Sequence, residues 1–129
     1  MTKVMVFGTF DILHPGHVAM LNEAKKLGDR LVVVVALDNT VLEVKKKAPK
    51  NSEEIRIKNL EKLKIADKVI LGDATDKNTP IRKELPDIIA IGYDQISFVE
   101  EMKNEFGQKI RIYKLTPYKT DIYKSSLLE

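Results

Sequence analysis

Along this chain hydrophobic and polar positions fall into two kinds of block, short apolar runs and longer stretches with helical spacing. Lys3 to Phe7 is short, rich in β-favouring residues and closed by Gly8, which predicts a strand. From Gly16 to Leu27, the residues Val18, Leu21, Ala24 and Leu27 recur at three-residue steps and predict a helix. Gly28 suits the left-handed C′ position behind it. The run from Leu31 to Leu37 is apolar on both faces, as a central parallel strand requires. A polar, lysine-rich loop is expected next. Ser52-Glu53-Glu54 then reads as a helix entry, with Ser52 as the cap and the acids complementing the helix dipole. Ile55, Leu60 and Leu63 carry this helix on to Lys64, with Ile57 off the main stripe.

Lys68 to Leu71 predicts a third strand. Thr79-Pro80 opens a short helix over Asn78 to Leu85, since proline suits a first helical turn. Pro86 ends it, and Asp87 to Ile91 is the fourth strand, stopped by Gly92. Ile96 to Phe106 predicts another helix, and Lys109 to Leu115 alternates charged and apolar residues as an edge strand does. Ser125-Ser126-Leu127-Leu128-Glu129 reads as the first turn of a further helix. This alternation predicts an α/β fold: a parallel five-stranded sheet with helices on both faces, in a single domain over residues 1–129. Ligands of such sheets sit beyond the carboxyl ends of the strands. The loops after Phe7, Leu37, Ile91 and Leu115 are therefore where chemistry is expected.

Composition narrows the picture. With 43% hydrophobic residues in 129, the chain has the material for one packed domain and is not globally disordered. Its longest apolar run is about a third of a membrane-spanning helix, and Met1-Thr2-Lys3 leads straight into a strand instead of a secretory signal, so the expectation is a cytoplasmic protein with no membrane partner. Against 19 acidic residues stand 22 Lys and Arg, a net +3 with both signs mixed. The one dense basic run is Lys45-Lys46-Lys47 with Lys50 close by, too little to suggest a nucleic-acid partner. The absence of cysteine removes disulfides, thiolate catalysis and Cys-ligated zinc.

Both histidines of the chain lie in one loop, Gly8-Thr9-Phe10-Asp11-Ile12-Leu13-His14-Pro15-Gly16-His17, between the first strand and the first helix. Backbone N–H groups at a helix start can hold an anion, and Gly8 and Gly16 let the backbone approach one closely. Pro15 keeps His14 extended. His14 and His17 can direct ring nitrogens to one site, where donors would match the charge that builds during displacement at a phosphate. Asp11 has two readings, a turn-forming residue or a ligand of a divalent cation such as Mg2+.

Gly-Thr-Phe-Asp followed by His-x-Gly-His resembles the signature of the cytidylyltransferase-like nucleotidyltransferases, and the resemblance runs over almost the whole chain. It implies a Rossmann-like sheet and coupling of a nucleoside triphosphate to a phosphate-bearing acceptor, with release of pyrophosphate. It places Thr9, Phe10, Pro15 and Gly16 against the nucleotide, and gives His14 and His17 the triphosphate and the transition state. It also makes Lys46 a phosphate-gripping lysine, with Asp38 shaping the same site, while Lys45 and Lys47 read as solvated.

Near the C-terminus, where glycerol-3-phosphate cytidylyltransferases carry Arg-Thr-Glu-Gly-Ile-Ser-Thr-Thr, this chain has Lys119-Thr120-Asp121-Ile122-Tyr123-Lys124-Ser125-Ser126. Ser125 and Ser126 offer hydroxyls and free N–H groups at a helix start, and Lys119 or Lys124 supplies charge for the outer phosphates. Ser125 reads equally as a plain N-cap. Gly92-Tyr93-Asp94-Gln95, with Lys124-Ser125-Ser126, looks more like the archaeal FAD synthases, small enzymes that transfer AMP from ATP to FMN. In that likeness Asp94 accepts from a ribose hydroxyl and Tyr123 packs on the base; each tyrosine also reads as ordinary packing. The alternative is a polyol-phosphate cytidylyltransferase that uses CTP. A nucleotide-binding regulatory domain without turnover is a third class, against which the paired histidines argue. The resemblance further implies ATP and FMN as small-molecule substrates, Mg2+ with the nucleotide, and a homodimer.

Overall fold

The structure, a computed structural model, describes residues 2–73, 78–92, 105–106 and 109–115. Among these residues lie five strands, β1 (Lys3–Gly8), β2 (Arg30–Val35), β3 (Lys68–Leu71), β4 (Ile88–Ile91) and β5 (Arg111–Lys114), and four helices, α1 (Pro15–Lys26), α2 (Asp38–Lys45), α3 (Glu53–Lys62) and α4 (Thr79–Glu84). The strands form one parallel sheet in the order β3-β2-β1-β4-β5. From β1 the chain works outward through β2 to β3, then returns to lay β4 and β5 on the other side of β1. This reversal puts the topological switch point at the carboxyl ends of β1 and β4, the position where open α/β sheets bind ligands.

Alternate side chains of the strands feed two cores, because successive residues of a strand point to opposite faces. Val4, Val6, Leu31, Val33, Val35, Ile88 and Ala90 pack with Leu21 and Ala24 of α1 and Leu60 of α3. On the other face Met5, Val32, Val34, Ile89 and Ile91 meet Ile81 of α4, with Ile110 and the partly buried Phe106. Full burial of such a side chain is worth about 1.5–3 kcal/mol, so the two layers together fix the sheet. The five-stranded parallel sheet with helices on both faces is the architecture the apolar pattern predicts, and Lys109 to Leu115 supplies its edge strand β5. No helix among the described residues is long and apolar enough to cross a membrane.

Three local expectations are corrected. The segment after β2, expected as a lysine-rich loop, folds from Asp38 into α2, whose first N–H donates to Glu53 Oε1 at 2.9 Å and whose Val41 is buried. In α3 the stripe is turned. Ile55 is exposed, while Arg56 and Leu60 are buried and Ile57 packs on the core. Gly28 is not left-handed, since no described glycine has positive φ. A Cβ there would stand 2.7 Å from the Thr2 carbonyl oxygen, so glycine serves close approach to the chain entering β1. The expected helix from Ile96 lies outside the described residues except for its end at 105–106, and the turn at Ser125 lies wholly outside them.

Candidate active site

Between β1 and α1 the chain makes one unusual turn. Phe10 is buried to 2% exposure and has a φ of 54°, a left-handed conformation that costs a non-glycine residue on the order of 1–3 kcal/mol. Its ring lies over Gly8: a Cβ at residue 8 would be 2.7 Å from the ring's Cε2. The glycine that closes β1 is thus required by the phenylalanine two residues on. The same ring meets His17 edge to face, with centroids 5.3 Å apart at 61°.

His14 is the N-cap of α1, extended at φ −143° and ψ 171°, as the following Pro15 favours. Its Nδ1 accepts the Gly16 N–H at 3.1 Å, and its carbonyl accepts the N–H of His17 at 2.9 Å. An Nδ1 that accepts leaves the proton of the neutral ring on Nε2, which makes Nε2 a donor. The imidazoles of His14 and His17 stack with centroids 3.9 Å apart and planes 26° from parallel. Nε2 of His14 and Nδ1 of His17 are both buried. Burial holds the pKa of His14 below the ordinary histidine value. Two rings at this spacing disfavour a shared double charge, and an arriving polyanion reverses that preference. The pair is suited to greet phosphate as donors and to gain charge from it.

A second set of bonds lies behind the loop. Asp11, 3% exposed, accepts the Lys50 N–H on Oδ2 at 2.7 Å and the Asn51 N–H on Oδ1 at 2.8 Å, while its carbonyl accepts from Asn51 Nδ2 at 2.6 Å. Arg56 of α3, 0% exposed, donates from Nη1 to the Thr9 carbonyl at 2.8 Å, from Nε to the Asn51 carbonyl at 3.1 Å and from Nη2 to Asp38 Oδ1 at 2.7 Å. A buried guanidinium is tolerable only with such partners, and Asp38 balances its charge.

The bonds of Asp11 are not those of a local turn: they tie the loop after β1 to a segment about forty residues away, at Lys50 and Asn51. Both carboxylate oxygens accept main-chain N–H groups. Among the described residues no group of three or more His, Asp or Glu side chains could hold a metal ion. Among the described residues, Asp11, with both oxygens so engaged, does not fit as a cation ligand.

Lys46 stands exposed at the left-handed C-cap of α2, with a φ of 62°. The loop that follows is tied to the histidine loop through the bonds from Lys50 and Asn51 to Asp11. Thr9, Phe10, Pro15 and Gly16 occupy the same strand-to-helix junction as the histidines. Asp38 pairs with Arg56 at 2.7 Å. Asp94, Lys119, Tyr123, Lys124, Ser125 and Ser126 lie outside the described residues. Arg56 itself escaped notice in the sequence, where it reads as one more charge on a solvated helix. Its spacing of four from buried Leu60 was the available signal.

With this geometry in hand, comparison with known proteins gives consistent likenesses. A family model described as Cytidylyltransferase-like matches residues 5–127. An FAD synthase of Aciduliprofundum boonei is 46% identical over 121 residues, covering 92% of this chain and 80% of that protein. An FAD synthase of Ferroglobus placidus is 53% identical over 109 residues, 84% of this chain and 70% of that one. The crystal structure of a lipopolysaccharide core biosynthesis protein from Thermoplasma volcanium superposes with a TM-score of 0.83 at 40% identity, covering 92% of this chain and 99% of that one.

Proposed function

Since the chain belongs to the cytidylyltransferase-like family, we propose the chemistry that its site performs. The protein is a nucleotidyltransferase that acts as an FAD synthase, transferring AMP from ATP to FMN with release of pyrophosphate. An oxygen of the FMN phosphate attacks the α-phosphorus of ATP. The new P–O bond forms as the bond to the bridging oxygen breaks, and that electron pair leaves with pyrophosphate. A phosphate monoester, with a second pKa near 6, is already ionised at neutral pH, so the attack asks for no general base. What it asks for is donors that match the charge growing on the α-phosphate and the leaving group.

The observation that carries this reading is the stacked pair of His14 and His17 at the start of α1, 3.9 Å apart in the connection that follows β1, next to where the strand order reverses. The imidazoles of His14 and His17 donate to the phosphates, and the positive end of the α1 dipole adds to their field. Thr9, Phe10, Pro15 and Gly16 line the nucleotide, and Lys46 reaches its phosphates from the loop after α2. Asp94, Tyr123, Ser125 and Ser126 complete the nucleotide pocket, with Lys119 and Lys124 on the outer phosphates. Magnesium enters with ATP as part of the substrate. A cytoplasmic location and a homodimeric state go with the same proposal.

The test is direct. Purified protein is incubated with magnesium and each pairing of ATP or CTP with FMN or glycerol 3-phosphate, and products are separated by chromatography. FAD from ATP and FMN alone is the expected outcome. CDP-glycerol from CTP, without FAD, overturns the assignment in favour of a polyol-phosphate cytidylyltransferase. Tight nucleotide binding with no pyrophosphate from any pairing overturns it in favour of a regulatory domain.

A further inference from the structure

Arg56, Thr9, Asp11 and Asn51 close a circuit around a single residue. Arg56 holds the Thr9 carbonyl on one side of Phe10. Asn51 holds Asp11 on the other side through its main-chain N–H and its side-chain amide. The circuit closes where Arg56 Nε donates to the Asn51 carbonyl. With both neighbours pinned, Phe10 keeps its positive φ of 54°. That conformation sends its ring over Gly8 and against the imidazole of His17.

We propose that Arg56 is a positioning residue for the transfer, setting the orientation of His17 through Thr9 and Phe10 without touching substrate. The turnover part of this inference rests on the reaction proposed above; the geometric part does not. Three acceptors in three directions call for a planar guanidinium, whose donors form a fixed fork. An ammonium at the same place reaches one or two of them. Asp38 balances the charge from the start of α2, so the element after β2 is drawn into the same arrangement. The Lys50–Asn51 loop joins it through Asp11.

The experiment uses Arg56→Lys, which keeps the charge and loses the fork. The chain has two histidines, so the Cε1–Hε1 region of a proton–carbon correlation spectrum contains two imidazole signals, assigned by His17→Ala. The ring current of Phe10 marks the His17 signal. In Arg56→Lys the His17 signal shifts, and kcat for FAD formation falls about tenfold or more while KM for ATP stays within about twofold. A role confined to stability would lower the unfolding temperature and leave the signal and kcat of the folded protein where they were. That result, or a change in only one of the two, overturns the proposal.

Should Arg56→Lys fail to fold, Asn51→Ala at a partly exposed residue removes one bond of the circuit, that from the side-chain amide to the Asp11 carbonyl. It is expected to move the His17 signal in the same direction by less, and an unmoved signal overturns the proposal. If the wild-type protein makes no FAD, the assigned reaction falls, and the His17 signal alone decides the positioning role.

Discussion

The two ends of the sheet are held by different means. At the amino ends of the strands, an aspartate stands immediately before each of β2, β3 and β4 and accepts an N–H from the neighbouring strand's start. Asp29 takes that of Thr2 at 2.7 Å, Asp67 that of Leu31 at 2.7 Å and Asp87 that of Lys3 at 2.8 Å. Lysines complete this end: Lys25 pairs with Asp67, while Lys3 and Lys68 both reach Glu84 at the end of α4. Most of these groups are open to water, the Asp67 side chain to 37%. At the carboxyl ends the ties include Asp11 and Arg56, both buried, with the more exposed Asp38 paired to Arg56, and they surround a residue in a conformation it does not prefer. Exposed ties align strands and are individually weak. Buried ties around a strained residue specify the direction of a ring. One end therefore serves stability, the other geometry.

The sharpest way to break this comparison is at the imidazoles. His17→Ala is expected to reduce FAD formation roughly 100- to 1,000-fold, the usual loss when one transition-state donor is removed, with the circular dichroism spectrum unchanged. Turnover at the wild-type rate in that variant removes the histidine pair from the mechanism. Next comes Gly8→Ala, whose new Cβ would stand 2.7 Å from the Phe10 ring. The ring must leave its place, so stability is expected to fall by about 1–3 kcal/mol, and turnover with it. An alanine variant with native stability and kcat would show that the ring has room elsewhere.

The smallest effect belongs to the opposite end. Bonding to Lys68, with Lys3 in support, holds the Glu84 carboxyl below the ordinary carboxylate range. A depressed value means the contribution is present above the unfolded carboxylate pKa and is lost as pH falls through the folded one. Glu84→Gln is expected to cost about 0.5–1 kcal/mol at neutral pH, as partly exposed pairs do. The gap to wild type narrows in acid, measured by urea unfolding, and kcat stays put. A loss of kcat without a loss of stability would dissolve the division of labour between the two ends.

The strands were legible because their apolar runs are short, β-rich and bounded by turn residues; β2 announces its central place by having no polar face. The histidine loop was legible because both histidines of the chain fall within it. What stayed hidden depends on contacts between distant residues. The start of α2 is satisfied by Glu53, fifteen residues away, and no side chain of its own N-cap residue takes part. Arg56 looks solvated until Thr9, Asp38 and Asn51 are brought around it. Asp11 offers either a turn or a cation site until Lys50 and Asn51 arrive. Gly28 shows no reason for its smallness until the chain before β1 passes against it.

The hydrogen bond from the Gly16 amide to His14 gives acidity two opposed effects at one nitrogen. A proton taken up there would add the positive charge that a polyphosphate welcomes, yet it would also release the amide and let the opening turn of α1 fray. The ligand-free enzyme thus has a built-in reason to stay uncharged at this ring in mildly acidic surroundings, and to accept charge only when an anion is present to hold the turn in its stead.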